Sequence, residues 1–148
     1  MLIRNILEES VRKFDEVKAV KWLKKKEIME RSYGELMENV VSTRKGLLAE
    51  GFEGKHIALI GTSSVEWMES YLGIITGCTT AVPLDAALPC EDLIDLLNRS
   101  DSVALFLSPK LKPYLDAFLE NCPKLQKVWM LQEEVEDRSE EHTSELQS

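Results

Sequence analysis

Residues 56–89 read HIALIGTSSVEWMESYLGIITGCTTAVPLDAALP, and this stretch decides the fold. Its first part, Ile57 to Ile60, is an unbroken apolar run, which is typical of a short strand covered on both faces. The next segment has the hydrophobic spacing of a helix, and residues 79–84 return to a β-rich run. A strand, a helix and a second strand in this order predict a βαβ unit with parallel strands.

The ends of the central helix are predicted from local chemistry. Ser63, with Glu66 three residues later, forms a capping-box signature, and Gly77 stands where a left-handed residue would stop the helix. Pro83 is expected at the end of the following strand rather than in its middle, because proline cannot donate a ladder hydrogen bond. The helix should bury one broad apolar face, formed by Val65, Trp67, Met68, Tyr71, Leu72, Ile74 and Ile75.

The chain before this unit predicts a helix, a hairpin and a second helix. A helix is expected from Ile6 to Phe14, with Ile6, Leu7, Val11 and Phe14 on one side. Strands are expected at residues 19–23 and 27–32, joined by a turn at the lysines 24–26. Ser32 and Glu35 form a second capping box, and Gly51 ends the helix that it opens. The buried stripe of that helix should contain Leu36, Val40, Leu47 and Leu48.

Helices and strands continue to alternate after residue 89. Glu91 and Asp92 open a helix whose buried residues should be Leu93, Ile94, Leu96 and Leu97. A strand at residues 103–107, a helix that begins at Ser108-Pro109 and a last strand at 128–131 follow. The inward face of that last helix should contain Leu111, Leu115, Phe118 and Leu119. The fold class is therefore α/β, with a layered, mostly parallel sheet flanked by helices and preceded by an N-terminal helix and β-hairpin.

Composition restricts the functional classes. The chain has 148 residues, of which 44% are apolar and 30% charged, and its formal net charge is −8. This acidity argues against a nucleic-acid surface, and no stripe of Lys and Arg interleaves with aromatic residues. No apolar run approaches the roughly 20 residues of a membrane span, and no signal peptide opens the chain. We therefore expect a cytoplasmic protein with no transmembrane segment.

The cysteines and histidines give no metal or nucleophile pattern. Cys78, Cys90 and Cys122 are odd in number and lack metal-ligand spacing, so we expect reduced thiols that pack as small apolar side chains. His56 is the one plausible partner for a catalytic cysteine, and its isolation in the sequence argues against that role. The sequence assigns no catalytic, cofactor-binding or metal-binding residue.

The last eleven residues, 138–148, differ from the rest of the chain. Their sequence RSEEHTSELQS has no apolar period, and it equals the in-frame translation of a widely used sequencing adapter. We therefore expect residues 1–137 to be the natural segment and residues 138–148 to be an artefactual, disordered tail. On this interpretation His142 is not a functional candidate.

Several short blocks resemble the AMP-forming adenylating enzymes, the superfamily of acyl-CoA synthetases and luciferase-like enzymes. The resemblance extends over roughly residues 3–135. Its blocks are Ser32-Tyr33-Gly34-Glu35-Leu36, Gly51 with Gly54, Glu66-Trp67, Gly77, Val82-Pro83-Leu84 and Leu88-Pro89. The first block and residues 61–67 are most similar to the long-chain fatty acyl branch.

The resemblance implies an ATP-dependent acid–thiol ligase that forms an acyl-adenylate and then an acyl-CoA. Its parent enzyme would use ATP, Mg²⁺, CoA and a small-molecule carboxylic acid. The family's Ser/Thr/Gly-rich loop ending in Pro-Lys, its ribose-binding acid and its C-terminal lysine do not occur in this sequence. Residues 1–137 are therefore expected to be a truncated N-terminal part that is inactive alone, binds none of these cofactors and packs against the remaining parts of the parent chain.

Three local features could contact a ligand, and each has a structural alternative. Gly61 to Ser64 could bind an anion at a helix N-terminus or simply cap that helix. Asp85 could line a crevice or form a turn, and Trp67 with Tyr71 could line a substrate pocket or belong to the core. Two other functions stay open: an adenylation domain of a peptide synthetase and a free-standing flavodoxin-like binding module.

Overall fold

A computed structural model describes residues 3–14, 18–24 and 27–131. The predictions for Lys25, Lys26 and the tail with His142 lie outside these residues. The elements are α1 (Ile3–Phe14), β1 (Lys18–Lys24), β2 (Glu27–Ser32), α2 (Tyr33–Ala49), β3 (His56–Gly61), α3 (Val65–Ile75), β4 (Thr80–Asp85), α4 (Cys90–Arg99), β5 (Ser102–Leu107), a 3₁₀ helix (Pro109–Tyr114), α5 (Leu115–Asn121) and β6 (Lys127–Met130).

The main sheet has four parallel strands in the order β4-β3-β5-β6. Strands β1 and β2 form a separate antiparallel hairpin. The chain leaves β3 toward β4 and then crosses to β5 on the other side of β3, so right-handed crossovers put helices on both faces of the sheet. The predicted βαβ unit, hairpin and layered α/β fold class are confirmed.

Strand β3 lies at the centre of this arrangement, and the side chains of residues 57–60 have no exposed surface. Its residues alternate between two hydrophobic clusters. The cluster beneath α2 and α3 contains Ile57, Leu59, Leu47, Ile74 and Phe106. The cluster beneath α4 and α5 contains Ala58, Ile60, Leu93, Leu107 and Phe118. Burial on both sides explains why the strand is apolar without alternation.

Helices α2 and α3 pack closely because small residues lie between them. A Cβ atom added at Gly73 would lie 2.6 Å from the Thr43 side chain and 3.0 Å from the Val40 carbonyl oxygen. The face that α3 buries includes Glu69 and Ser70. The predicted apolar face was therefore partly wrong. Its members Met68, Leu72 and Ile75 are only half-buried, because the contact with α2 selects small and polar residues.

The stripes of the outer helices also differ from prediction. In α2, Arg44 is buried and Leu48 is 46% exposed. In α1, Ile6 is 51% exposed, and the side chains of Val11 and Phe14 lie outside the description. A helix that packs on one side only leaves some apolar side chains in solvent. Such exposed apolar residues are common in folded proteins.

The capping box at the start of α2 is confirmed. Ser32 Oγ accepts a hydrogen bond from the Glu35 amide at 3.1 Å, and the Glu35 carboxylate accepts from the Ser32 amide at 2.8 Å. The predicted cap of α3 was wrong by one residue. Ser64, in extended backbone, accepts from the Trp67 amide at 3.0 Å, whereas Ser63 is exposed in the loop after β3.

The C-terminal end of α3 corrects a second assignment. The left-handed residue is Cys78, with φ of 65°, and not Gly77. Gly77 is required for space, because a Cβ atom there would lie 2.8 Å from Arg44 Cγ. Cys78 is exposed, contrary to the expected apolar packing, whereas Cys122 is buried. Gly51 ends α2 with φ of 78°, as predicted.

Two prolines adjust the later elements. Pro83 lies inside β4 rather than at its end, which is tolerated because β4 is an edge strand of the sheet. Ser108 and Pro109 open a 3₁₀ helix that contains Pro113, and the α-helix begins only at Leu115. In α5, Phe118 is buried and Leu119 is 53% exposed. None of the described helices is long and apolar enough to cross a membrane.

The α2–α3 contact predicts opposite effects for two glycine substitutions. Gly73→Ala should destabilise the protein by about 1–3 kcal/mol, because the added methyl group overlaps Thr43. Gly46→Ala is the matched control within α2, where a Cβ atom meets nothing within 4 Å. Alanine should raise stability there by about 0.5–1 kcal/mol through helix propensity. Urea unfolding measures the free energy of unfolding of both variants. Equal changes in Gly73→Ala and Gly46→Ala would contradict the close approach of the helices.

The assignment of Ser64 as the cap of α3 predicts that alanine substitutions at Ser63 and Ser64 change stability by different amounts. Ser64→Ala should lower the free energy of unfolding by about 1 kcal/mol, because the Trp67 amide loses its acceptor. Ser63→Ala should change it by less than about 0.5 kcal/mol, since Ser63 is exposed. Thermal unfolding followed by circular dichroism compares the two variants. A larger loss of stability in Ser63→Ala than in Ser64→Ala would show that Ser63 is the cap.

Candidate functional site

The candidate site is the carboxyl edge of the parallel sheet, where the strand order reverses between β3 and β5. Ligands of open α/β sheets bind outside the carboxyl ends of the strands at such a reversal. The loop of residues 61–64 follows β3 at this edge, and Ser108 follows β5. Gly61 pairs in register with Asp85 of β4, so the structure brings the predicted loop and Asp85 to one edge.

The space between β3 and β5 at this edge is filled by protein atoms. The Ser108 amide donates a hydrogen bond to the Ile60 carbonyl oxygen at 2.9 Å, and the Ser108 side chain is fully buried. A Cβ atom at Gly61 would lie 3.1 Å from Ser108 Cβ and 3.3 Å from Leu131 Cδ1. The reversal point therefore leaves little room beside Gly61 even for a methyl group.

The loop at residues 61–64 acts as a helix cap. Ser64 Oγ occupies the Trp67 amide, and the Ser64 carbonyl oxygen accepts from the Met68 amide at 3.0 Å. The carboxylate of Glu66 lies in the first turn of α3, where it already complements the positive end of the helix dipole. The loop itself contains no lysine or arginine. These features favour capping over the binding of an anionic ligand.

Trp67 and Tyr71 lie one helical turn apart and stack on each other. Their ring centroids are 5.4 Å apart with an interplanar angle of 7°, and both pack against the cluster beneath α2 and α3. This supports the core interpretation. A Cβ atom at Gly61 would lie 3.4 Å from Trp67 Cδ1, so the indole lies across the end of β3.

The indole Nε1 of Trp67 is a feature that sequence reasoning missed. It is buried and has no hydrogen-bond acceptor among the residues that the structure describes. A buried donor without an acceptor is energetically costly, so the surrounding packing must compensate for it. No sequence pattern reveals it, because the burial of this nitrogen arises from tertiary packing around the ring.

Asp85 is a turn residue. Its side chain is exposed, and Asp85 Oδ1 accepts a hydrogen bond from the Ala87 amide at 2.9 Å. This is the local bond that short acidic residues form to the backbone two positions later. The turn interpretation is therefore supported over a crevice contact.

His56 does not lie at this edge. His56 begins β3, at the opposite end of the strand from Gly61, and its Nδ1 lies 2.7 Å from the Ser100 carbonyl oxygen. Burial raises the pKa of the Cys122 thiol, which keeps it protonated and weakly nucleophilic. Within residues 3–14, 18–24 and 27–131, no three His, Cys, Asp or Glu side chains group as metal ligands.

The described residues therefore do not fit a nucleotide triphosphate at this edge. A phosphate cradle needs free amides and a positive charge, and a magnesium site needs converging oxygen ligands. Here Ser64 occupies the Trp67 amide, the first turn contains Glu66, the loop has no lysine or arginine, and the position beside Gly61 is crowded. We derive no step through ATP, Mg²⁺ or CoA from these residues.

Several solved structures share this fold at low sequence identity. A mutant form of coronafacic acid ligase from Pectobacterium brasiliense is 20% identical, with a TM-score of 0.81 over 94% of this chain and 27% of its own. The N-terminal domain of FACL13 from Mycobacterium tuberculosis is 18% identical, with a TM-score of 0.76 over 88% of this chain and 34% of its own.

An anthranilate CoA ligase in complex with anthranoyl-AMP gives a TM-score of 0.72 at 18% identity, over 85% of this chain and 24% of its own. This chain thus spans between 24% and 34% of the length of these three proteins. No curated protein matches the chain.

The family described as AMP-binding enzyme matches residues 7–148, which is nearly the whole sequence. The parallel sheet, its flanking helices and their order agree with the N-terminal domain found among the structural matches. The chain belongs to the AMP-binding enzyme family.

Proposed function

We propose that this chain is the N-terminal part of an AMP-forming acid–CoA ligase. In the first reaction a carboxylate attacks the α-phosphorus of ATP, which forms an acyl-adenylate and releases pyrophosphate. In the second, the CoA thiol attacks the acyl carbon, which forms the thioester and releases AMP. The observation that carries the proposal is the family match over residues 7–148 on a chain with this parallel α/β fold.

The proposed substrate class is a long-chain fatty acid. It rests on two sequence blocks, residues 32–36 and 61–67, which resemble the fatty acyl branch of the family. In the structure both blocks are helix starts: Ser32 caps α2 and Ser64 caps α3. They therefore support kinship with that branch and do not form an acyl pocket themselves.

The proposed role of residues 1–137 is to provide a packed scaffold for the parent enzyme. The carboxyl edge of the sheet is filled and capped, so the groups that hold ATP, Mg²⁺ and CoA are proposed to come from other parts of that enzyme. Residues 138–148 remain proposed as translated adapter, and the parent enzyme as cytoplasmic. Family membership supports this proposal over a free-standing flavodoxin-like module.

This proposal predicts a difference between the 148-residue chain and a complete gene product read past residue 137 in adapter-free DNA. The short chain should catalyse no carboxylate-dependent exchange of pyrophosphate into ATP, because it lacks a triphosphate cradle. The complete protein should catalyse this exchange, fastest with long-chain fatty acids, and should consume CoA. Radiolabelled pyrophosphate measures both proteins in one assay.

Testing fatty acids and amino acids in the same assay distinguishes the proposed ligase from the alternative adenylation domain. Exchange driven by amino acids, without CoA consumption, would identify a peptide-synthetase adenylation domain instead. Exchange catalysed by the short chain itself would contradict the scaffold role.

A further inference from the structure

Arg44 is a buried cation of helix α2, and it lies at the C-terminal end of α3. The residue is only 9% exposed. Its Nη2 donates a hydrogen bond to the hydroxyl oxygen of Thr76, the last cap of α3, at 3.1 Å. Its Nε is buried and has no hydrogen-bond acceptor among the residues that the structure describes. None of their carboxylates lies within ion-pair distance of Arg44. The partial negative charge at the end of α3 therefore offsets only part of the Arg44 charge.

The side chain of Arg44 lies against the turn that presents Cys78. A Cβ atom added at Gly77 would lie 2.8 Å from Arg44 Cγ and 3.5 Å from Arg44 Cβ. Cys78 follows directly, with a left-handed φ of 65°. Its carbonyl oxygen accepts a hydrogen bond from the Gly54 amide at 2.8 Å, whereas the residue itself is exposed. The turn thus fixes the backbone of Cys78 next to Arg44 and leaves its side chain accessible.

Arg44 and Cys78 interact electrostatically. Burial lowers the pKa of Arg44 below its ordinary value, and the positive charge of Arg4 lowers it further, whereas Glu8 and Cys78 act in the opposite direction. Glu8 already forms an ion pair with Arg4, at 3.0 Å between its Oε2 and the arginine Nε. Negative charge at Cys78 would therefore stabilise a cation that has no carboxylate partner of its own among the described residues.

We propose that Cys78 is a modification site for small disulfides that carry carboxylates, and that Arg44 makes the site selective for these anionic reagents. The Cys78 thiolate attacks one sulfur of the disulfide, and a new bond forms between that sulfur and Cys78 Sγ. The original sulfur–sulfur bond breaks, and the second half leaves as a thiolate that takes a proton from water. Cys78 is oxidised and the departing half is reduced, so the exchange needs no further oxidant. This site is independent of the proposed ligase activity.

The other two cysteines lack this environment. Cys122 is buried, and its Sγ lies 4.0 Å from the Ile94 carbonyl oxygen, so a reagent has no access to it. Cys90 is half-buried at the start of α4, where the next residues are Glu91 and Asp92. These carboxylates repel an anionic reagent. Cys90 therefore provides an internal control for the charge selectivity of Cys78.

Thiol–disulfide exchange on the reduced 148-residue chain tests the proposal. The probes are oxidised glutathione, which has a net negative charge, and cystamine, which has a net positive charge. Mass spectrometry of proteolytic fragments gives the exchange rate at each cysteine. The ratio of the glutathione rate to the cystamine rate should be about three- to tenfold higher at Cys78 than at Cys90, because the two thiols lie in fields of opposite sign.

Arg44→Gln separates the effect of Arg44 from the acidity around Cys90. This variant should lower the rate ratio at Cys78 about three- to tenfold and leave the ratio at Cys90 unchanged. Lys45→Gln is the matched control, because it removes the same charge from an exposed neighbour on α2. It should change the ratio at Cys78 by less than about twofold, since solvent screens an exposed charge.

Two results would overturn the proposal. One is a wild-type rate ratio at Cys78 that is no higher than the ratio at Cys90. The other is an Arg44→Gln chain that keeps the wild-type ratio at Cys78. If Arg44→Gln fails to fold, the salt dependence of the wild-type chain decides. Added sodium chloride should slow glutathione exchange at Cys78 and accelerate it at Cys90, because salt screens attraction at the first thiol and repulsion at the second. Exchange at Cys78 that salt does not slow overturns the proposal.

Discussion

The burial of β3 on both faces is the constraint on which the rest of the structure depends. Residues 57–60 have no exposed surface, so helices must cover the sheet on two sides. The side chains of Ile57, Leu59 and Ile60 each stabilise the fold by about 1.5–3 kcal/mol when buried. Helices α2 and α3 cover one face of the sheet and approach each other closely at Gly73. Helices α4 and α5 cover the other face, where Leu93 and Phe118 are buried. The open edge strand β4 can then accommodate Pro83.

The sequence predicted what local patterns control. Strand and helix order, parallel pairing and the Ser32–Glu35 capping box follow from neighbouring residues, and they are confirmed. The buried face of α3 could not be predicted, because Glu69 is buried only where Arg31 and Asn39 reach it from distant parts of the chain. Ser63 and Ser64 have the same chemistry, so only the length of β3 decides which one caps the helix. The role of Gly77 likewise depends on a distant residue, because Arg44 leaves no room for a Cβ atom there.

The sequence predicted which residues lie at the carboxyl edge of the sheet, and it left their roles open. The loop at 61–64 and Asp85 do meet at the carboxyl edge, yet one caps α3 and the other forms a turn. The buried Trp67 Nε1 became visible only in three dimensions. The crowded reversal point and the self-capped helix are the observations that support the proposed scaffold role.

Titration of the isotope-labelled 148-residue chain with ATP and Mg²⁺, followed by amide chemical shifts, tests the scaffold claim most directly. We expect no saturable shift in residues 61–64 or at Ser108, because the Trp67, Met68 and Ser108 amides are already hydrogen-bonded and the space beside Gly61 is crowded. Saturable shifts centred on that loop and on Ser108 would show that the carboxyl edge binds nucleotide and would contradict the account.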